Sequence, residues 1–191
     1  MIKKEQLKAL YYEYTCQFSD KEIVLGEGDP DSKLVLIGEA PGKDEVKLLK
    51  PFVGMAGKNL NEFLEILGVG REAIYITNAI KYRLSKTSEK TGRVSNRPAL
   101  KADIEESRRY LTREICTISP QIIVTLGNVP LKAITGDYSI SIGALHGRLE
   151  EIEVEGTKYK LFALYHPASI IYNRSLKDIY IEDIRKLSLL L

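Results

Sequence analysis

The chain has 191 residues, of which 44% are hydrophobic, and its formal net charge is +2 at pH 7. This length and apolar content predict one compact domain, residues 1–191, with a full hydrophobic core. The small net charge gives no reason, taken alone, to expect a polyanionic partner, so charge has to be judged by position along the chain.

The cysteines and the apolar runs exclude several further classes of protein. Cys16 and Cys116 are the only cysteines, and they lie far apart without a C-x-x-C pair, so they predict neither a disulfide framework nor a metal site. The N-terminus lacks the apolar core of a signal peptide, and no apolar run approaches membrane-spanning length. We therefore expect a cytoplasmic protein, and nothing in the sequence suggests more than a monomer.

Short apolar runs alternate with amphipathic stretches along the chain. The N-terminal "MIKKEQLKALYYEY" is helical in character, and a polar, basic loop is predicted over residues 83–98. The predicted strands are residues 33–38, 73–77, 121–126 and 160–164, and the predicted helices are residues 59–67, 98–117, 129–135 and 176–190. This alternation favours an α/β fold with a mainly parallel sheet covered by helices on both faces.

Polar residues follow the end of each predicted strand. Glu39 follows the first strand, Asn78 the second, Gly127 and Asn128 the third, and His166 the fourth. Open α/β sheets bind ligands at the carboxyl ends of their strands, so these residues are expected to share one crevice. A single polar residue in such a place is ordinary for a loop, but all of them together indicate a site.

The loop after the first strand, "GEAPGKDEVKLLKPFVG", does not fit the familiar phosphate-binding motifs. The spacing between Gly38 and Gly42 is too short for a Walker A loop, and Pro41 interrupts a dinucleotide fingerprint. The loop instead presents Glu39 at a strand end and an aromatic ring, Phe52, in a later turn. Ordinary core packing is the alternative for Phe52, and a solvated acid or a helix cap is the alternative for Glu39.

The other two strand-end side chains suggest recognition of a flat, polar ring. Asn78 offers both an amide donor and a carbonyl acceptor, which can pair with the edge of a nucleobase. His166 precedes a proline, and its imidazole can donate to a developing oxyanion. The alternatives without a binding role are that Asn78 is an ordinary turn asparagine and that His166 is a structural histidine with satisfied hydrogen bonds.

Six blocks of sequence resemble one family in its own order. The blocks "GEAPGKDE", "KPFVGMAGKNL", "YITNAIKYR", "NRPA", "PQIIVTLGN" and "YHPAS" are similar to the uracil-DNA glycosylase superfamily, most closely family 4, the iron–sulfur type. The resemblance implies a three-layer α/β/α sandwich with a central four-stranded parallel sheet. It also implies a monofunctional DNA glycosylase that hydrolyses the N-glycosidic bond of uracil to start base-excision repair.

The resemblance assigns roles to individual residues. Glu39 matches the acid that orients the attacking water, and His166 matches the histidine that stabilises charge on uracil O2. Phe52 matches the ring that stacks on the flipped base, and Asn78 matches the amide that pairs with its edge. Gly38 and Ala40 are expected to line the same uracil pocket.

Contact with DNA is expected from the loop "HPASIIYNRS" and from one helix start. Ile170, Ile171 or Tyr172 would wedge into the base stack, and Arg174 would hold a phosphate. Gly127 and Asn128 would offer backbone N–H groups to the strand. The basic stretch 83–98 would be a further backbone contact, with a solvated surface loop as the alternative.

The sequence departs from family 4 at its cluster cysteines. Cys16 fits one of the four ligand positions, but Glu13, Tyr82 and Ser107 occupy the others, and one thiolate cannot hold a [4Fe–4S] cluster. We therefore predict no cofactor and no metal, with the N-terminal segment docked by packing through Tyr11, Tyr12 and Tyr14. Ala40, where some members have glycine, leaves open a preference for hypoxanthine or xanthine. A DNA-binding protein without catalysis is the remaining alternative.

Overall fold

A computed structural model describes residues 2–173 and 175–191, without the side chains of residues 55, 56 and 170–172. The helices are α1 (Lys3–Gln17), α2 (Lys43–Leu48), α3 (Gly54–Leu67), α4 (Lys101–Ile118), α5 (Asn128–Thr135), α6 (Ile142–Leu145), α7 (Pro167–Tyr172) and α8 (Leu176–Ser188). The strands are β1 (Glu27–Gly28), β2 (Leu34–Gly38), β3 (Tyr75–Asn78), β4 (Ser85–Thr87), β5 (Val94–Asn96), β6 (Ile122–Leu126), β7 (Leu149–Val154) and β8 (Thr157–Leu164). Within these ranges no helix combines the length and the apolar character that a membrane crossing needs.

The main sheet has six strands in the order β1-β3-β2-β6-β8-β7. The four inner strands, β3, β2, β6 and β8, run parallel, which confirms the predicted parallel core of an α/β/α sandwich. The two outer strands, β1 and β7, are antiparallel additions that the sequence did not predict. β1 has only two residues, and β7 reads "LEEIEV" with mostly exposed side chains, so neither forms an apolar run.

The central strands are buried on both faces because alternate side chains enter two different cores. Val35 and Ile37 of β2 pack into the core beneath α1, α4 and α5. Leu34 and Leu36, the intervening residues, pack into the core beneath α3 and α8. The period of two along a strand places successive side chains on opposite faces, which produces the three layers.

The connections contain short helices, α2, α6 and α7, that were not predicted, and they differ from the prediction in two further places. Residues 83–98, predicted to be a loop, contain the two-stranded antiparallel hairpin β4–β5, whose strand residues are all exposed and so carry no hydrophobic period. Helix α3 begins at Gly54, before the predicted start at residue 59, because the glycines of "GMAG" hide the helical pattern. Helix α4 begins where the Asp103 carboxylate accepts the Leu100 N–H at 2.8 Å.

Candidate active site

The carboxyl ends of the four parallel strands meet at one edge of the sheet. Gly38 of β2 pairs with Asn78 of β3, so these two strands end side by side. Leu126 of β6 pairs with Leu164 of β8 in the same way, and β2 lies between β3 and β6. Glu39, which follows Gly38, and the predicted residues beyond the other strands therefore leave the sheet at one edge.

Phe52 and Asn78 come together over the bare Cα of Gly38. A Cβ on Gly38 would collide with both the Asn78 Oδ1 atom and the Phe52 ring, so only glycine allows this contact. Asn78 is 3% exposed, and its Nδ2 atom has no hydrogen-bond partner within the described part of the chain. A buried amide donor without a partner costs free energy unless a ligand satisfies it, so the Asn78 amide is a candidate for hydrogen bonding to a polar ligand.

The loop that carries Phe52 is held by a buried carboxylate and an arginine. Glu45 accepts the Gly42 N–H and the Phe52 N–H, each at 2.5 Å. Arg71 donates to the carbonyl oxygens of Pro51 and Phe52 at 2.6 and 3.3 Å. Phe52 has φ 51°, a left-handed conformation that a non-glycine residue adopts only when its surroundings impose it, and these four bonds do so.

Replacing Glu45 with alanine is expected to lower kcat/KM for substrate by at least about 10²-fold, because two charge-assisted hydrogen bonds that hold the Phe52 loop are worth roughly 1.5–3 kcal/mol each. The loss should appear mainly as a higher KM, since the Phe52 ring is expected to bind the ligand and not to react. Asp44→Asn, in the same helix but exposed, is the matched control and should behave like the wild type. Equal kinetics in Glu45→Ala and the wild type would contradict this account of the loop.

Glu39 occupies a partly buried position beside the loop that follows β5. Burial raises the pKa of its carboxyl group, and the backbone N–H of Ala99 offsets only part of that increase. The raised pKa makes Glu39 a better proton acceptor than an exposed glutamate once it is ionised. This is the property needed by a group that takes a proton from an attacking water.

His166 is held in one tautomer by the helix that it caps. Its Nδ1 atom accepts the Ala168 N–H at 3.1 Å at the start of α7, so the proton of the neutral ring resides on Nε2. Burial lowers the pKa of His166, which favours this neutral form. Gly127, with φ 95°, packs against the histidine where a Cβ would lie 3.2 Å from the His166 Cβ. The site therefore has a neutral Nε2–H donor.

The two shifts predict the pH dependence of the reaction. A general base at Glu39 must be ionised, and the pKa of its carboxyl group is raised, so the single-turnover rate should begin to fall at a higher pH than an ordinary glutamate, whose pKa is about 4.3, would allow. His166 stays neutral to a lower pH than an ordinary histidine because its pKa is lowered. A pH profile of single-turnover rates checks this, and the acidic loss that belongs to Glu39 should vanish in Glu39→Gln. An unchanged acidic profile in that variant would assign the loss to another group.

The predicted DNA contacts are described only in part. The Gly127 N–H donates to the Leu164 carbonyl at 2.8 Å and is therefore engaged at the sheet edge. The Asn128 side chain accepts the Ile142 N–H at 2.8 Å, which fixes α6 to the start of α5. The side chains of Ile170, Ile171 and Tyr172, and all of Arg174, lie outside the described residues.

Aromatic side chains pack around Tyr82 and Ser107, two of the positions that the resemblance aligns with cluster cysteines. The ring centroids of Tyr14 on α1 and of Phe18, the residue that ends this helix, are 4.5 Å apart, and Phe18 is 5.0 Å from Tyr82. The Tyr110 ring lies 4.9 Å from Tyr14, and the Tyr14 hydroxyl lies 3.3 Å from Ser107 Oγ. Where ligand thiolates were expected, Tyr82 and Ser107 thus provide a phenol and a hydroxyl.

The donor set does not fit an iron–sulfur cluster. Cys16 is exposed, Cys116 is half-buried, and neither is among the aromatic side chains just described. Across the described residues no group of three or more His, Cys, Asp or Glu side chains is placed to hold a metal ion. The prediction that α1 docks through its tyrosines is correct for Tyr14, which is fully buried. It is wrong for Tyr12, which is 73% exposed.

Several residues around the site were not singled out from sequence. Arg71 has no sequence signal, since it lies in a 3₁₀ turn of polar character before β3. Lys81 follows the strand end in "TNAIKY" and is almost fully buried. Its position as a single lysine in an apolar stretch is a weak sequence signal of that burial. Its partner, Glu114, lies on α4, and only the folded chain brings the two together.

Comparisons with known proteins agree with the motifs. A sequence model of the family described as the uracil DNA glycosylase superfamily matches residues 25–186. A type-4 uracil-DNA glycosylase of Archaeoglobus fulgidus is 36% identical over 167 residues, 86% of this chain and 79% of that protein. Proteins of the same name from Saccharolobus solfataricus and Thermotoga maritima are 38% and 35% identical, over 87% and 86% of this chain and 74% and 80% of their own.

Proposed function

The chain belongs to the uracil DNA glycosylase superfamily, and from that membership we propose that residues 1–191 form a glycosylase domain that removes uracil from DNA. The observation that carries this proposal is the unpartnered Asn78 amide beneath the Phe52 ring. Uracil presents an O4 acceptor next to an N3–H donor. The Asn78 Nδ2–H and Oδ1 complement both, while the ring stacks on the base.

Glu39 and His166 supply the chemistry that such a reaction needs. The C1′–N1 bond breaks, and its electron pair passes to the base, where charge on O2 is stabilised by the His166 Nε2–H. The sugar gains oxocarbenium character, which the Glu39 carboxylate stabilises. Water adds to C1′ and its proton passes to Glu39. Glu39 then releases that proton to solvent and the uracil anion takes one up, which leaves free uracil and an abasic deoxyribose.

The glycosidic bond is inaccessible inside a duplex, so the proposal requires that the base be flipped out of the stack. Helix α7, which was expected to be a loop, follows the site histidine and carries the proposed wedge residues Ile170 and Tyr172. Arg174, further along the chain, is the proposed phosphate contact. The amides at Asn128 and beyond, at the start of α5, are the proposed second contact, since the Gly127 N–H is engaged. We propose that the protein acts as a monomer.

We further propose that the enzyme works without an iron–sulfur cluster. The purified protein should contain iron and acid-labile sulfide at background level, because the only thiolate near a ligand position is that of Cys16. Cys16→Ser should keep the wild-type activity and melting temperature. Stoichiometric iron, with loss of iron and of thermal stability in Cys16→Ser, would contradict this proposal.

The test of the proposed function is a glycosylase assay on end-labelled duplexes that each carry one modified base. Uracil, hypoxanthine, xanthine and thymine are compared, and alkali reveals the abasic sites. Cleavage at uracil alone, or most rapidly at uracil, is the expected result. Cleavage confined to hypoxanthine or xanthine would move the substrate to another deaminated base. Intact DNA in the presence of tight, salt-dependent binding would leave a DNA-binding protein without catalysis.

A further inference from the structure

The Asn78 amide is buried against Gly38, but its orientation also depends on the peptide that carries it. The Asn78 carbonyl accepts a hydrogen bond from the Lys81 Nζ at 3.0 Å, three residues along the chain. The Lys81 side chain is 1% exposed and folds back on the turn that leaves β3. Its ammonium group therefore lies directly behind the residue proposed to read the base.

The charge of Lys81 is balanced by Glu114, an acid on α4. The Lys81 Nζ and Glu114 Oε2 atoms are 2.7 Å apart, and the Glu114 side chain is 0% exposed. Glu114 also accepts from Thr77 Oγ1 at 3.2 Å and from the Tyr11 hydroxyl of α1. This charged network spans the space between α1, α4 and the end of β3.

The backbone around Lys81 is fixed at each position of the turn. The Ala79 and Ile80 N–H groups donate to the carbonyl oxygens of Gly38 and Glu39, at 2.8 and 3.0 Å. The Lys81 N–H donates to the Tyr14 hydroxyl at 2.9 Å. The Asn78 carbonyl faces the ammonium group, so the Lys81 side chain completes the restraint on the peptide plane that orients the amide.

A buried ion pair contributes little to stability, because the cost of desolvating two charges offsets their attraction. A pair of neutral side chains of similar volume would hold the same fold at least as well. What a neutral pair cannot supply is a charged donor to the Asn78 carbonyl, and a charge-assisted hydrogen bond is stronger than a neutral one. The ion pair is thus better explained by the position of Asn78 than by the stability of the core.

We propose that Lys81, held in place by Glu114, is a positioning residue that orients the Asn78 amide for the base. This proposal rests on the proposed function, since it names the residues behind the same pocket. Lys81 touches neither base nor sugar and acts only through Asn78. Because Lys81 contacts Tyr14 of α1 and Glu114 of α4, the orientation of Asn78 depends on how these two helices pack.

The test is the double variant Lys81→Met/Glu114→Gln, which removes both charges and keeps side chains of similar size. Glutamine can still accept from Tyr11 and Thr77, so thermal stability should remain near that of the wild type. Single-turnover excision of uracil should nevertheless slow by up to about 10²-fold, because a small misplacement of a positioning group has effects of that size. The matched control is Arg113→Met/Glu13→Gln, which removes an exposed pair between the same two helices and should keep full activity.

A cycle with Asn78→Ala separates positioning from a structural role. If Lys81 acts through Asn78, the double variant should slow excision in the wild-type background and have no further effect when Asn78 is already alanine. Equal slowing in both backgrounds, or full activity of the stable double variant, would overturn the proposal. A wild type that releases no uracil would instead overturn the proposed function.

A second variant covers the case in which the double variant does not fold. Lys81→Arg keeps the positive charge and the pairing with Glu114, but a planar guanidinium cannot replace an ammonium group in so tight a turn. Slower excision by folded Lys81→Arg supports the proposal if the same substitution causes no further slowing in the Asn78→Ala background. Wild-type excision by folded Lys81→Arg contradicts it.

Discussion

Glu39→Gln is expected to slow uracil excision by about 10²- to 10⁴-fold, the range over which a positioned acid–base group contributes. Glutamine keeps the shape of the side chain and can still accept the Ala99 N–H. It can neither take a proton from water nor offset positive charge on the sugar. The effect should therefore lie in the single-turnover rate, with little change in the affinity for DNA that contains an abasic site.

The size of this effect follows from where Glu39 lies. Burial raises the pKa of its carboxyl group, so the ionised form is more basic than an exposed carboxylate. Its attraction for positive charge on the sugar is also stronger, because the site is poorly solvated. Glu62→Gln, an exposed acid on α3, is the matched control and should retain the wild-type rate. A Glu39→Gln protein that is folded and excises uracil at the wild-type rate would remove Glu39 from the mechanism.

His166→Ala is expected to slow excision by about 10²- to 10³-fold, the loss usual when one donor to a developing oxyanion is removed. The alanine variant also loses the cap of α7, because His166 Nδ1 accepts the Ala168 N–H. A lost cap costs roughly 0.5–2 kcal/mol of stability, so this variant should melt at a lower temperature than the wild type.

His166→Asn separates the two roles of the histidine. Asparagine is a favourable N-cap and its shorter side chain can accept the Ala168 N–H, so stability should be largely restored. Its amide does not reach as far as the imidazole Nε2–H, so excision should remain slow. Recovery of activity together with stability in His166→Asn would show that the histidine has only a structural role.

The central sheet and the convergence of the strand ends could be predicted from the sequence because both depend on local patterns. Fully buried parallel strands appear as continuous apolar runs, and the residues after them share one edge of the sheet. The sequence pattern therefore predicted that Glu39, Asn78 and His166 lie at one edge of the sheet. The loop after the first strand added Phe52, which reaches Gly38 only through the turn held by Glu45.

The features that could not be predicted are those without a period or with distant partners. The edge strand β7 and the hairpin β4–β5 expose most of their side chains, so no hydrophobic pattern indicates them. The Lys81–Glu114 pair joins a strand end to the middle of a helix, and its burial depends on tertiary packing alone.

The surroundings of Tyr82 and Ser107 show what packs at two positions that were expected to carry cluster cysteines. In the sequence, Tyr82 and Ser107 are notable only because they stand at positions where cysteines were expected. In the fold, Tyr82 joins Tyr14, Phe18 and Tyr110 in a buried aromatic group between α1, α4 and the end of β3. Aromatic pairs at these distances add about 0.5–1.5 kcal/mol each beyond their buried area. The docking of α1 thus has an apolar, aromatic basis.

The most direct measurement is chromatographic quantitation of free uracil after excess wild-type protein is mixed with a duplex that carries one uracil. The account predicts that about one uracil is released for each site, since hydrolysis of the C1′–N1 bond yields free base and leaves the DNA backbone uncut until alkali is added. Binding of the duplex with no free uracil would contradict it, because the pocket at the sheet edge would then recognise a base without removing it.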